Sequence, residues 1–186
     1  MESIARGWPA SLILIAIVAM CASVRHAEAG SAREIDATAS ATLDRLYREV
    51  PSAWELGKRA AGVLVFPSII KAGFGFGGEY GEGALRVHGS TVDYYNTVSA
   101  SFGFQLGVQA RSVIIMFLTN EALDSFYRKD GWKVGVDGSV VVVTLGAGGN
   151  IDTNTLRNPV VGFIIDQKGL MYNLTLEGSK ISRIYR

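Results

Sequence analysis

Between Gly73 and Gly83 the chain reads GFGFGGEYGEG, a run whose period is that of a strand. Extended, it sends Phe74, Phe76 and Tyr80 to one side and Gly73, Gly75, Gly77, Gly81 and Gly83 to the other. Gly78 thickens the same glycine-rich surface. A second run, Val98–Ala110, alternates Val98, Ala100, Phe102, Phe104, Leu106, Val108 and Ala110 with serine, glycine and glutamine. A period of two held this long is a β signal and not a helical one. The expectation is a pair of strands with the aromatic face on a core and the glycine face nearly bare. Such a surface suits a scaffold or docking role better than catalysis. Missing side chains also permit sharp sheet twist or close approach by a helix, despite glycine's entropic cost.

The surrounding sequence supplies the other elements. Ile35, Ala39, Leu43, Leu46 and Val50 recur at three- and four-residue spacings, predicting an amphipathic helix over 34–50. Pro51 interrupts it, and Ser52 with Glu55 has the capping-box pattern for a short helix to Lys58. A strand follows over Gly62–Phe66, closed by Pro67, with one helical turn expected at Ile69-Ile70. His88-Gly89-Ser90 reads as a turn between the glycine-rich strand and further strands near 91–96, 98–110 and 112–118. Thr119 or Asn120 caps a helix, EALDSFYRK, with Ala122, Leu123 and Phe126 on one face. A β run is expected over Trp132–Leu145, a polar loop over Gly146–Arg157, and a hairpin of Val160–Ile165 with Leu170–Leu176 before a short final strand. The fold class is α+β: a single domain, mainly antiparallel sheet, with flanking N-terminal and central helices.

The N-terminal segment has Arg6, an apolar run from Ala10 to Met20 and the tripeptide Ala27-Glu28-Ala29. This is the pattern of a signal peptide over residues 1–29, leaving a domain over 30–186. The apolar run falls short of the roughly 20 residues of a bilayer crossing. A lipoprotein acylated at Cys21 is the competing reading, disfavoured by the bulk of Met20, and an uncleaved anchor is the third. Cleavage removes the only cysteine, so the exported domain is held by packing alone, which fits a periplasmic or secreted protein peripheral to a membrane. With 18 basic and 17 acidic residues the chain lacks the charge excess of a dedicated nucleic-acid binder.

Several constellations are weaker than they look. Gly73-x-Gly75-x-x-Gly78 fits the dinucleotide pattern but lies in an alternating strand with no helix after it. Glu79 and Glu82, three apart on a strand, face opposite sides, so an ion pair from Lys71 or Arg86 is the better expectation. His88, Ser90 and Asp93 lack a nucleophile elbow. No structural zinc spacing occurs, and no cofactor or metal is expected. Asn150, Asp152 and Asn154 alternate in an oxygen-rich loop but lack the length and terminal glutamate of a calcium loop. Arg45, Arg48, Lys58, Arg59 and Lys71 bracket the first helices and strand, and together would form a cationic rim suited to anionic headgroups.

At these residues the chain resembles the SYLF domain family, the lipid-binding domain of yeast actin-regulatory proteins. The matching pieces are Ala61–Pro67, Lys71–Gly83, Tyr95-Asn96, Ser99–Gly107, Lys168-Gly169-Leu170 and Leu176–Ser179. The resemblance covers about residues 34–186. Tyr172-Asn173 stand where relatives often have small residues. The resemblance implies phospholipid association. It places lipid contact in an N-terminal amphipathic and basic region, for which Arg45, Arg48, Lys58, Arg59 and Lys71 are the candidates here. Eukaryotic members are linked to phosphoinositides and actin and often carry SH3 or FYVE domains, neither of which accompanies the domain in this sequence. The expected function is therefore non-enzymatic: peripheral binding to anionic phospholipid in a bacterial cell envelope, with no actin partner. An envelope protein-interaction domain is the alternative reading, and a hydrolase around His88 the third.

Overall fold

A computed structural model of the chain describes residues 30–144, 157–168, 176 and 178–186, with backbone alone at 73–76, 101–107 and 167–168. Helix α1 spans Ala32–Glu49. Ser31 caps it, its hydroxyl accepting from the Glu34 N–H at 3.2 Å. Its buried residues, Ile35, Ala39, Thr42, Leu43 and Leu46, form the stripe that the spacing predicts. Helix α2, Pro51–Arg59, follows after one residue. The expected Ser52 cap is not used. Pro51 opens the helix, where its missing N–H goes unneeded and its fixed φ suits the first turn, so Ser52 falls inside.

Strand β1 runs unbroken from Gly62 to Val87 and β2 from Ser90 to Phe117. They pair antiparallel along their whole length, from Val87↔Ser90 out to Gly62↔Phe117. His88 and Gly89 make the two-residue turn with φ of 51° and 81°, both left-handed as a type I′ hairpin requires. The helical turn expected at Ile69-Ile70 is absent. A bulge between Phe66 and Ile69 absorbs Pro67 and Ser68, and the strand continues through it.

The free edge of β2 is shared along its length. Its C-terminal part pairs with β5, Val160–Lys168, and its N-terminal part with β6, Lys180–Ile184. Beyond these lie β4, Val141–Thr144, parallel to β5, and β3, Trp132–Lys133, antiparallel to β6. Helix α3, Asn120–Tyr127, is capped by Thr119, which accepts from the Ala122 N–H at 3.2 Å. The described residues thus form one six-stranded, mostly antiparallel sheet with three helices, and the expected α+β class is borne out. The long β run expected over Trp132–Leu145 is split. Gly135 takes φ +84°, and the Asp137 carboxylate accepts from the Lys133 N–H at 2.8 Å, turning the chain between β3 and β4. The partner strand expected over Leu170–Leu176 lies outside the described residues, Leu176 excepted.

Both faces of the central strands are covered, which is why they read as unbroken apolar runs. Val63, Val65, Ile114, Met116 and Phe163 pack under α1 and α2. Leu64, Phe66, Val113, Ile115 and Phe117 pack the other way, with Leu85, Tyr95, Phe126, Trp132 and Ile181. Both ends of the β1–β2 ribbon contribute to this second core, so the ribbon curls back on itself. Polar bonds tie α1 to the ribbon. Arg86 donates to the Asp36 carbonyl at 3.1 Å and to Ser40 Oγ at 2.6 Å, while the Asp36 carboxylate accepts from Thr91 at 2.8 Å and Tyr94 at 2.9 Å.

Candidate functional site

The middle of the β1–β2 ribbon reverses the usual assignment of faces. On its inner face Glu79 is 9 % exposed and receives Arg111 at 2.6 Å and Lys71 at 3.4 Å. Burial lowers the Arg111 pKa, and the Glu79 charge opposes that shift. On its outer face stand Ile70, Ala72, Gly78, Tyr80, Val98, Ala100 and Val108, all exposed. Register pairs them across the strands: Ala72↔Val108 near one end, Gly78↔Ala100 and Tyr80↔Val98 near the other. Val108 is 73 % exposed and Ile70 50 %. A sheet that turns three charges inward and aliphatic side chains outward is inside-out for an aqueous surface.

This overturns the expected orientation of the glycine run. Tyr80 faces outward, while Gly81 and Gly83 are buried. The reason is the curl of the ribbon. A Cβ on Gly83 would overlap the Val65 carbonyl oxygen and stand 2.7 Å from Phe66 Cδ1. One on Gly81 would stand 2.8 Å from both Ile69 Cγ1 and the Ser68 oxygen. The close approach is made by the first half of the same strand and not by a helix. Gly77 is half-buried, and Gly78 shares the outer face with Tyr80. Gly73 sits opposite Gly107 in the ladder, and Gly75 lies at the register shift between Phe74 and Phe76.

The five basic residues do not make one rim. Lys71 is 13 % exposed and held by Glu79 on the inner face, so it is a structural ion and not a rim residue. Arg45 is exposed on α1 and is shared between Glu49 at 2.8 Å and Asp166, which together raise its pKa, the Glu49 hydrogen bond most. Lys58 pairs with Glu55 at 2.8 Å and lies 5.6 Å from the Trp54 ring centre. Arg48 and Arg59 are exposed and outside every ion pair among the described residues. The residue missing from the expected set is Trp54, 48 % exposed on α2 and edge-on to Tyr47 at 5.1 Å. A tryptophan four residues before a lysine on a short amphipathic helix was the available signal, since such rings settle at membrane interfaces.

The remaining candidates resolve into scaffolding. Asp93 is paired with Arg183, and His88 is a left-handed turn residue. Glu82 accepts from Tyr80 at 2.6 Å and pairs with Arg186, away from Glu79. The Asn150, Asp152 and Asn154 loop lies outside the described residues. Among the described residues no three His, Cys, Asp or Glu side chains gather as metal ligands, and no helix is long and apolar enough to cross a membrane.

These features define an α+β domain with an exposed apolar sheet surface. Residues 98–184 match the family described as Ysc84, Las17-binding protein actin regulator, the SYLF domain family that the sequence resembles. The match takes in β2 from Val98 and the sequence up to Ile184, the part against which β1 pairs from Gly62 to Tyr80. SYLF is a lipid-binding domain family and not a known enzyme family. A search of curated proteins finds no match.

Proposed function

We propose that the protein is a non-enzymatic, peripheral phospholipid-binding protein of the cell envelope that meets the membrane through the outer face of the β1–β2 ribbon. The observation that supports this reading is the inversion of that ribbon: Lys71, Glu79 and Arg111 inside, Ile70, Ala72, Val98 and Val108 outside. Shallow insertion would cover those aliphatic side chains. Exposed Arg48, Lys58 and Arg59, with Trp54 at headgroup level, would add attraction to anionic lipid.

Flotation of the chain from Gly30 onward with anionic vesicles tests this. Full burial of a valine side chain is worth roughly 1.5–3 kcal/mol, so losing even half of that at Val108 weakens partitioning several-fold to about tenfold. Val108→Asp is expected to reduce flotation at least that much, while Val136→Asp, at a 76 % exposed site in the β3–β4 turn, leaves it unchanged. Equal flotation of wild type and Val108→Asp would defeat the proposal. The family description names a protein partner, and the same face would serve a protein-interaction domain. Specific retention of one envelope protein, lost in Val108→Asp, with no flotation of the wild type, would select that reading.

A further inference from the structure

Beside the bulges of β1 and β2, the ribbon, β5 and α1 enclose a surface cavity of about 210 Å³ lined by Arg45, Ser68, Arg111, Ser112 and Asp166, with Pro67 and Ala110. At roughly 30 Å³ per water in the liquid, that is the volume of about seven waters, enough for a small polar ligand. Two guanidinium groups reach it from different elements, Arg45 from α1 and Arg111 from β2. Arg111 is 7 % exposed; it gives one nitrogen to Glu79 and keeps a buried Nε with no hydrogen-bond partner. A buried N–H left without an acceptor is unfavourable and needs an explanation. Asp166 stands opposite Arg111 at the β5 bulge with φ +60°, a left-handed conformation that a non-glycine residue holds at a cost. Its carboxylate pairs with Arg45 and lies 3.3 Å from Ser112 Oγ, whose shorter bond goes to the Pro67 carbonyl at 2.7 Å.

Charge balance narrows what can enter. Arg45 is matched by Glu49 and Asp166, and Arg111 with Lys71 by Glu79. A lone anion would meet the Asp166 carboxylate, and a lone cation would meet two guanidinium groups. A molecule that carries both an anionic and a cationic group pairs with both. Donors approach from α1, β1 and β2, which suits a tetrahedral oxyanion better than a flat carboxylate. We propose that this cavity binds a small phospho-ammonium zwitterion. Its phosphate ester lies against Arg45, Arg111 and Ser68, and its ammonium against Asp166 and the Pro67 carbonyl. Free phosphoethanolamine, whose monoester carries about −1.5 to −2 charges at pH 7, and the headgroup of an ethanolamine phospholipid, a singly charged diester, share the same phosphate-and-ammonium pair. The site is separate from the ribbon's outer face, and binding in solution needs no bilayer.

Equilibrium dialysis of the full chain against phosphoethanolamine, inorganic phosphate, ethanolamine and glycine tests the assignment. Saturable binding of phosphoethanolamine is expected, at least tenfold tighter than any of the other three. Ser68→Ala is expected to weaken it several-fold. Asp166→Asn keeps a residue type that tolerates the left-handed conformation and is expected to bring phosphate and phosphoethanolamine to equal affinity. Flotation with ethanolamine- and choline-headed vesicles then separates the sources. A preference for ethanolamine that Asp166→Asn removes points to the lipid; soluble binding without such a preference points to the free phosphate ester. The proposal is overturned if phosphoethanolamine fails to saturate, if phosphate or glycine binds as tightly, or if both variants bind as wild type does.

Discussion

Gly83→Ala and Gly78→Ala, five residues apart in one glycine run, are expected to move stability in opposite directions. At Gly83 the new methyl overlaps the Val65 carbonyl oxygen and stands 3.0 Å from its carbon, against an optimum of about 3.5–4.0 Å between carbons. That carbonyl cannot retreat. Val65 is fully buried and paired with Ile114, so relief requires the two layers of the ribbon to separate. Overpacking typically costs about 1–3 kcal/mol, and a backbone obstacle belongs at the upper end of that range. A loss of about 3 kcal/mol lowers Tm by roughly 6–12 °C in a domain of this size. At Gly78 the nearest neighbour is the Ser99 oxygen at 3.7 Å, an ordinary contact. Alanine there narrows the unfolded ensemble and is expected to leave Tm unchanged or raise it, by at most about 1 kcal/mol of stability. Thermal melts and urea titrations followed by circular dichroism read both. A Gly83→Ala protein melting within about a degree of wild type, or a Gly78→Ala protein falling as far, would refute the crossing-strand explanation.

The basic residues divide by role. Lys58→Glu with Arg59→Glu is expected to leave the melt unchanged and weaken binding to anionic vesicles by roughly 30-fold or more at low salt, at about 1 kcal/mol per lost cation, with the difference shrinking as salt rises. Lys71→Glu instead sets two carboxylates beside Arg111, and breaking a buried ion pair costs about 3–5 kcal/mol, so its effect appears in the melt whether or not lipid is present. Burial raises the Tyr95 pKa, so the folded state favours the neutral phenol. Its contribution is complete below the ordinary value of 10.0 and is lost as pH rises towards the higher folded value. Stability measured from pH 9 to 12 should therefore fall, with a flatter decline in Tyr95→Phe, and equal slopes would remove Tyr95 from the account.

Much of this architecture is written in spacing. Ile35, Ala39, Leu43 and Leu46 declare the buried stripe of α1, and His88-Gly89 marks the hairpin turn. Alternation over 73–83 and 98–110 gives the long ribbon. A period of two tells which residues share a face but not which face the rest of the chain covers. Here that is decided by the curl that brings Gly83 onto Val65, a contact between residues eighteen positions apart that no local pattern encodes. The same curl turns Lys71 inward to Glu79. Ile69-Ile70 reads as a turn because Pro67 signals an end, and only the ladder with Arg111 and Ala110 carries the strand past it. The cavity is less legible still, since Arg45, Ser68, Arg111 and Asp166 come from four separate elements.

The most direct test of the central claim is an environment-sensitive fluorophore on a single cysteine at Val108, in the chain from Gly30 onward, which has no other cysteine. The same label at Val136, a comparably exposed valine, serves as the reference. With anionic vesicles the outward apolar ribbon predicts a blue shift and protection from aqueous quencher at Val108 and no change at Val136. Vesicle binding that leaves the Val108 label in water, or shifts both labels alike, would contradict it.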